Sequence, residues 1–270
     1  MKKWTLLLGL AIAVSLMAAC GNSSDKKDEK DITIGATTGP YSDMVTKAIK
    51  PGLEEKGYKV TVKEFNDYIQ PNNALAQGDL DANLFQHKIY MENFAKENKI
   101  ELSELISVPT APMGIYSDKF DSIDSIKEGS QITIPNDPTN AARAFQILAD
   151  AKLITLKSDS NPLTVSEKDI ETNAKNLKFK AIEAAQLPRT VDSVDLAAVP
   201  GNFALAADMD LLDALQLENM PDEYRNRVVV NTDDKDSQVS KDIKAVVESD
   251  EFEKVIDDEF KGFGKPDWME

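Results

Sequence analysis

The chain has 270 residues, with 31 Lys and Arg against 47 Asp and Glu, one histidine and one cysteine. A formal net charge of −16 argues against nucleic acid as a partner and against electrostatic adhesion to anionic lipid. One cysteine cannot form an internal disulfide, and with a single histidine it cannot build a His/Cys zinc cluster.

Residues 1–19 read as a secretory signal. Lys2 and Lys3 form a positive start, "WTLLLGLAIAVSLM" is an apolar run too short for a stable spanning helix, and Ala18 and Ala19 are small residues before Cys20. Cys20 is either a chance cysteine near a cleavage site or the end of a lipobox, "LMAAC", with Met17 in place of the more usual leucine. The lipobox reading makes Cys20 the lipidated first residue of the mature chain. Residues 20–31 then form a tether, since "GNSSDKKDEKD" has no apolar residue with which to fold. Loss of Lys2 and Lys3 leaves 29 basic against 47 acidic residues, a net charge of −18. The lipid is therefore the expected membrane link, on the outer side of the cytoplasmic membrane. More than one acyl chain, as in palmitate-bearing lipoproteins, is needed for a stable anchor.

The remainder repeats a strand, a short loop and a helix. "DITIG" precedes a helical "YSDMVTKAIKPGLEEKG", "YKVTVKEF" precedes "QPNNALAQG", and "LDANLF" precedes "HKIYMENFAKENK". "QITIPNDPTNAARAFQILADAK" and "VDLAAVPGNFALAADMD" follow the same plan. Such alternation predicts an α/β fold of parallel sheets with helices on their faces. "SVPTAPMGIYS", residues 107–117, reads as an extended crossover. The strand "NRVVVNT" and one amphipathic helix, "DSQVSKDIKAVVESDEFEKVIDDEF", close the chain. Two lobes are expected: 32–112 plus 228–270, and 113–227.

Ligands of open α/β sheets sit beyond the carboxyl ends of the strands. Asn66, Asp67 and Tyr68 fall there, as do Phe85, His87 and Tyr90, then Asn140 and Arg143, then Gly201 and Asn202. A cleft between lobes would gather all four groups. Arg143 offers a planar fork suited to a carboxylate. Asn140, Asn202 and Asn226 offer amides for an ammonium and a carboxylate. Tyr68, Phe85, His87 and Tyr90 offer an apolar, polarizable wall. Together they describe a site for a free amino acid, and a thioether side chain suits such a wall. Each residue also has a plainer reading: core aromatics, a packing histidine, a surface ion pair, helix-capping asparagines. If Arg143 lines a cleft, its removal should spare the fold.

Catalytic motifs are absent from the sequence: no G-x-S-x-G, no H-E-x-x-H and no phosphate-binding loop. "DDKDSQ" at 233–238 lacks the turn glycine of a calcium loop, Val239 standing in its place. Neither a cofactor nor a metal is expected, and the chain reads as a binder and not an enzyme.

"FNDYIQPNNALAQGDLDANLFQH", "IPNDPTNAARAFQIL", "AAQLPR" and "VPGNFA" resemble the NlpA/MetQ family of methionine-binding lipoproteins. The likeness runs from Ile32 to Trp268. It implies a two-lobe periplasmic-binding-protein fold of type II with its cleft between the lobes. It implies a substrate-binding component that delivers L-methionine to an ABC permease and its ATPase, or alternatively takes D-methionine, a methionine dipeptide or another amino acid. It makes Tyr68, Phe85, His87 and Tyr90 the side-chain wall, Arg143 the carboxylate clamp, and Asn140, Asn202 and Asn226 polar contacts. The chain departs from the family at Ile89 and Met91, where Pro and Leu are common, and at Asn231, where Arg is common. An envelope enzyme on the same fold, or an adhesin or scaffold, are the competing readings.

Overall fold

The computed structural model describes residues 30–269. The signal segment, Cys20 and the tether up to residue 29 lie outside the described residues.

The chain builds two α/β lobes, each on a five-stranded sheet. The first sheet uses β1 (Asp31–Thr37), β2 (Lys59–Phe65), β3 (Ala82–His87), β4 (Leu102–Ser107) and the late strand β12 (Asn226–Asn231). The second uses β5 (Gly114–Tyr116), β6 (Gln131–Pro135), β9 (Lys178–Ile182), β10 (Leu196–Val199) and β11 (Gln216–Leu217). Between β6 and β9 lies a hairpin of β7 (Ile154–Leu156) and β8 (Ile170–Asn173). The helices are α1 (Pro40–Met44), α2 (Lys50–Glu55), α3 (Gln70–Ala76), α4 (Lys88–Asn98), α5 (Pro138–Asp150), α6 (Gly201–Ala206), α7 (Gln238–Val247) and α8 (Asp250–Glu259).

Strand order is β2-β1-β3-β12-β4 in the first sheet and β11-β5-β10-β6-β9 in the second. The sheets are mixed, which corrects the expectation of parallel ones. Strands β1, β2 and β3 are mutually parallel and end at the cleft, but β12 runs antiparallel to β3, with Asn226 opposite His87. The reason is the route of the chain. It re-enters the first lobe from the cleft side, so it must run away from the cleft. Strand β5 enters the second lobe the same way and lies antiparallel to β10, Gly114 opposite Val199. Asn226 and Arg227 thus belong to the first sheet, two residues ahead of the expected 227/228 boundary. At the other end β1 begins at Asp31, paired with Lys59, inside the stretch expected as tether.

Burial explains the strand composition. All six residues of β3 are buried, and Val228, Val229 and Val230 of β12 are sealed between its neighbours. Strands covered on both faces need continuous apolar runs. Ile34, Met44, Leu53, Leu84, Val228, Ile243 and Phe252 share the first core; Ile132, Phe145, Leu148 and Leu196 share the second.

Two helices depart from the sequence pattern. Between α1 and α2 the backbone widens to a π-type turn at Val45–Ile49, just before Pro51. Proline has no N–H to return to the preceding turn and its ring crowds it, so the helix loosens there instead of breaking. The single C-terminal helix expected over 236–260 is two helices, α7 and α8. Ser249 interrupts it by accepting the backbone N–H of Phe252, and Asp250, Glu251 and Glu253 reinforce the new helix start. The break lets Ile243 and Val247 of one helix and Phe252 and Ile256 of the other all reach the first core.

Candidate functional site

His87 ends β3 and caps α4, an unusual duty for a histidine. Its Nδ1 accepts the backbone N–H of Tyr90 at 3.2 Å. The ring proton is therefore assigned to Nε2, which faces Asn140 Oδ1 of the second lobe at 3.3 Å. Burial first, and then the Arg143 charge, hold the imidazole well below its ordinary pKa, so it is neutral.

Asn140 stands in the first turn of α5. Asp137 caps that helix, accepting from the Asn140 backbone at 2.9 Å and from Asn140 Nδ2 through both carboxylate oxygens at 3.1 Å. Asn140 Oδ1 also accepts from Arg143 Nη1 at 2.9 Å. The Asn140 amide oxygen thus has both lone pairs engaged, while one amide N–H is shared between the two Asp137 oxygens, and the amide orients His87 and Arg143.

Arg143, one turn along α5, is only 5% exposed. Its fork is occupied: Nε lies 2.7 Å from Glu218 Oε1 and Nη2 lies 2.6 Å from Oε2. Burial opposes the guanidinium charge, and the facing carboxylate outweighs it, so Arg143 stays protonated. Three of its five N–H groups are used, leaving one on Nη1 and one on Nη2. The expectation that Arg143 can be removed without harm to the fold is corrected here, because its loss would strand a buried carboxylate.

Tyr68 follows β2 and crosses the cleft. Its hydroxyl donates to Asn202 Oδ1 at 2.6 Å, and its ring stands 4.9 Å from that of Phe203 in α6. On its own lobe it packs against Phe85 at 5.9 Å and Tyr90 at 5.8 Å, and the Tyr90 hydroxyl donates to the Tyr68 carbonyl. Asn202 Nδ2 is buried with no hydrogen-bond partner among the described residues. Asn226 is 4% exposed; its backbone N–H donates to Thr110, and its side-chain amide makes no hydrogen bond among the described residues.

All eight ligand residues named from the sequence line one narrow pocket between the lobes. Tyr41, Gln86, Thr110, Ala111, Pro200 and Gly201 complete it. Tyr41 follows β1, so the carboxyl-end rule applied to that strand points to it. Gln86 belongs to a buried amide network with Asn72 and Asn83, bonded at 2.6 to 3.0 Å, which fixes α3 against β3. Asn66, Asp67, Ile89, Met91 and Asn231, also named from the sequence, lie off the pocket wall. Asp67 caps the start of α3 through the N–H groups of Ile69 and Gln70. Met91 is core beside Phe65 and Leu75, and Asn231 donates to the Leu75 carbonyl at 2.8 Å. The family departures at Met91 and Asn231 therefore fall behind the pocket. Glu218 has no sequence signal of its own.

Chemically the pocket has two ends. Phe85, Tyr90 and Tyr68 form an apolar wall. Opposite them stand the two spare Arg143 N–H groups, Asn202 Nδ2 and the Asn226 amide. A small molecule with a carboxylate at one end and an apolar tail satisfies both. Among the described residues no group of His, Cys, Asp and Glu is placed to hold a metal, and no helix is long and apolar enough to cross a membrane.

Comparison with known proteins covers nearly all of the described chain. Residues 32–268 match the model of the NlpA lipoprotein family. The D-methionine-binding lipoprotein MetQ of Salmonella typhi is 35% identical over 264 residues, 97% of this chain and 96% of that protein. The crystal structure of the methionine binding protein MetQ superposes with a TM-score of 0.83 at 33% identity, covering 88% of this chain and 99% of that one. A nutrient binding protein from Burkholderia cenocepacia, bound to methionine in its structure, gives a TM-score of 0.81 at 37% identity, covering 86% and 97%. The chain belongs to the NlpA lipoprotein family.

Proposed function

We propose that the protein captures methionine between its lobes and hands it to an ABC permease, held outside the cytoplasmic membrane by a lipid on Cys20. The observation that carries this reading is the pairing of an unfilled polar end with an aromatic wall in one closed pocket. The ligand carboxylate would take the spare N–H groups of Arg143 and Asn202 Nδ2, and the ammonium the amide oxygen of Asn226. The thioether would lie on Phe85, Tyr68 and Tyr90, where sulfur–aromatic contacts add roughly 0.3–1.5 kcal/mol. The D-methionine named for the Salmonella typhi protein and the methionine bound by the Burkholderia cenocepacia protein support a ligand of the methionine class.

Binding without turnover is part of the proposal. His87, the one base in the pocket, has both ring nitrogens engaged and faces no nucleophile. Delivery, the permease with its ATPase and the outward-facing anchor complete the reading. A calorimetric screen of the twenty amino acids, D-methionine and methionine dipeptides tests it. Methionine should bind with a negative heat-capacity change and be recovered unaltered. Failure of every compound to bind, or chemical conversion of the bound one, would end the reading. Replacing Cys20 by Ser should release the protein from the membrane fraction, and a variant still membrane-bound in high salt would end the lipid assignment.

A further inference from the structure

Resting on the methionine reading above, the buried pair at Arg143 bears on which charge state of a ligand the pocket accepts. Arg143 is the one charged residue on the pocket wall, and His87 beside it is neutral. Glu218 does not touch the pocket. It stands behind the guanidinium, with 4% of its side chain exposed. Its position is fixed by backbone: the Glu218 N–H donates to the Met113 carbonyl at 2.9 Å, and the Met113 N–H donates to Glu218 Oε2 at 3.1 Å. Other charges nearby are already matched or at the surface. Asp137 is half-buried and serves the start of α5, while Arg227 is held by Glu104 and Asp222.

Arg143 and the Glu218 behind it therefore carry no net charge between them, and Asp137 adds its charge only from the half-exposed start of α5. A water-excluding site magnifies every unmatched charge. A lone guanidinium would favour a bare monoanion. A guanidinium neutralised from behind still directs N–H groups at a carboxylate, but offers no net attraction to an anion. We infer that Glu218 is a specificity-determining residue: by neutralising Arg143 from outside the pocket, it makes the site prefer a zwitterionic amino acid over the same acid without its ammonium. The two lone amide groups at Asn202 and Asn226 distinguish donors from acceptors, and Glu218 distinguishes net charge.

The test compares L-methionine with 2-hydroxy-4-methylthiobutanoate, which has a hydroxyl where methionine has its ammonium. Both are titrated calorimetrically into the full chain and into Glu218→Gln and Glu218→Asp. The parent should prefer methionine, and Glu218→Gln should lower that preference about tenfold by gaining the hydroxy acid. Glu218→Asp keeps the charge and should keep the preference, even where the shorter side chain weakens both ligands. A shift under threefold in Glu218→Gln, or an equal loss of preference in Glu218→Asp, overturns the inference. If the Gln variant does not fold unaided, the two compounds are compared by the melting midpoint each restores. The hydroxy acid has to outperform its rank in the parent, and an unchanged rank overturns the inference. A parent that binds neither compound removes the methionine reading instead. The charge inference then stands if Glu218→Gln alone gains the hydroxy acid, and falls if it does not.

Discussion

The Arg143 guanidinium lies side-on to the Glu218 carboxylate, with Nε and Nη2 at 2.7 and 2.6 Å from its two oxygens and both side chains nearly sealed from solvent. The two come from α5 and from the residue after β11, 75 positions apart. One edge of the guanidinium thus serves the fold, and on the proposed reading its spare N–H groups take the ligand carboxylate.

Arg143→Ala should therefore fail on both counts. It strands a buried carboxylate, which costs about 3–5 kcal/mol, and removes the ligand's main donor. Arg143→Met with Glu218→Leu replaces the pair by apolar groups and should recover most of the stability without recovering methionine binding. Chemical denaturation and calorimetry on both variants separate the effects. A single variant within 1 kcal/mol of the parent (about the scale of an exposed pair) would show that the pair is not buried in solution.

His87 should make the fold acid-sensitive. Its pKa in the folded chain lies well below 6.5 through burial and Arg143. Between that lowered value and 6.5 the unfolded chain binds a proton that the folded chain refuses. Stability is then fully present above pH 6.5 and falls as the pH drops below it, by up to about 1.4 kcal/mol per unit. His87 is the only histidine, so the change in unfolding free energy between pH 7 and 5.5 is its signature. His87→Gln should flatten that slope whatever its own cost to stability. Equal slopes in the two proteins would place the proton elsewhere.

Much of this site was legible in the sequence, and the reason is topological. Strands β1, β2, β3, β6 and β10 all end at one cleft, so residues just after them meet there. Tyr68, Phe85, His87, Asn140, Arg143 and Asn202 could be named from that rule. What lies behind them could not. Glu218 follows a two-residue strand, and 47 acidic residues compete for the role of partner to one buried arginine. Asn140 carries the same side chain as Asn202, yet one is held by Asp137 and Arg143 of its own helix while the other meets Tyr68 across the cleft and keeps a free Nδ2. The Tyr68 contact depends on a distance between lobes that sequence spacing does not carry. Strand direction was likewise hidden: alternation of strands and helices implies parallel pairing, and only the path of the chain between lobes reverses β5 and β12.

Gly201→Ala should disturb the joint between lobes. Gly201 opens α6 against the crossover segment. A Cβ there would meet the Pro112 carbonyl oxygen and lie 2.7 Å from Ala111 Cβ. Backbone cannot swing aside as a flexible side chain can, so overpacking of about 1–3 kcal/mol is expected. Because Ala111 and Gly201 both line the pocket, methionine affinity should fall with it. Full affinity and an unshifted melting temperature in Gly201→Ala would mean that the crossover yields freely.

Tyr68→Phe should act on closure and leave the fold of each lobe intact. The hydroxyl reaches across the cleft to Asn202 Oδ1 at 2.6 Å, and Asn202 Nδ2 stays buried beside it. In an open molecule water satisfies both ends of that bond. In a closed one the variant leaves the Asn202 oxygen without its donor. The net loss of about 0.5–1.5 kcal/mol then falls on the closed state alone. Ligand affinity should drop about twofold to tenfold, and the ligand-free variant should show a larger radius of gyration than the parent by solution scattering. Tyr68→Ala also removes the ring that stacks on Phe85 and Phe203 at 5.9 and 4.9 Å, so its loss of affinity should be larger. Were Tyr68→Phe to lower the melting temperature with the radius and the affinity unchanged, the hydroxyl would be a contact within the fold and not a latch between lobes.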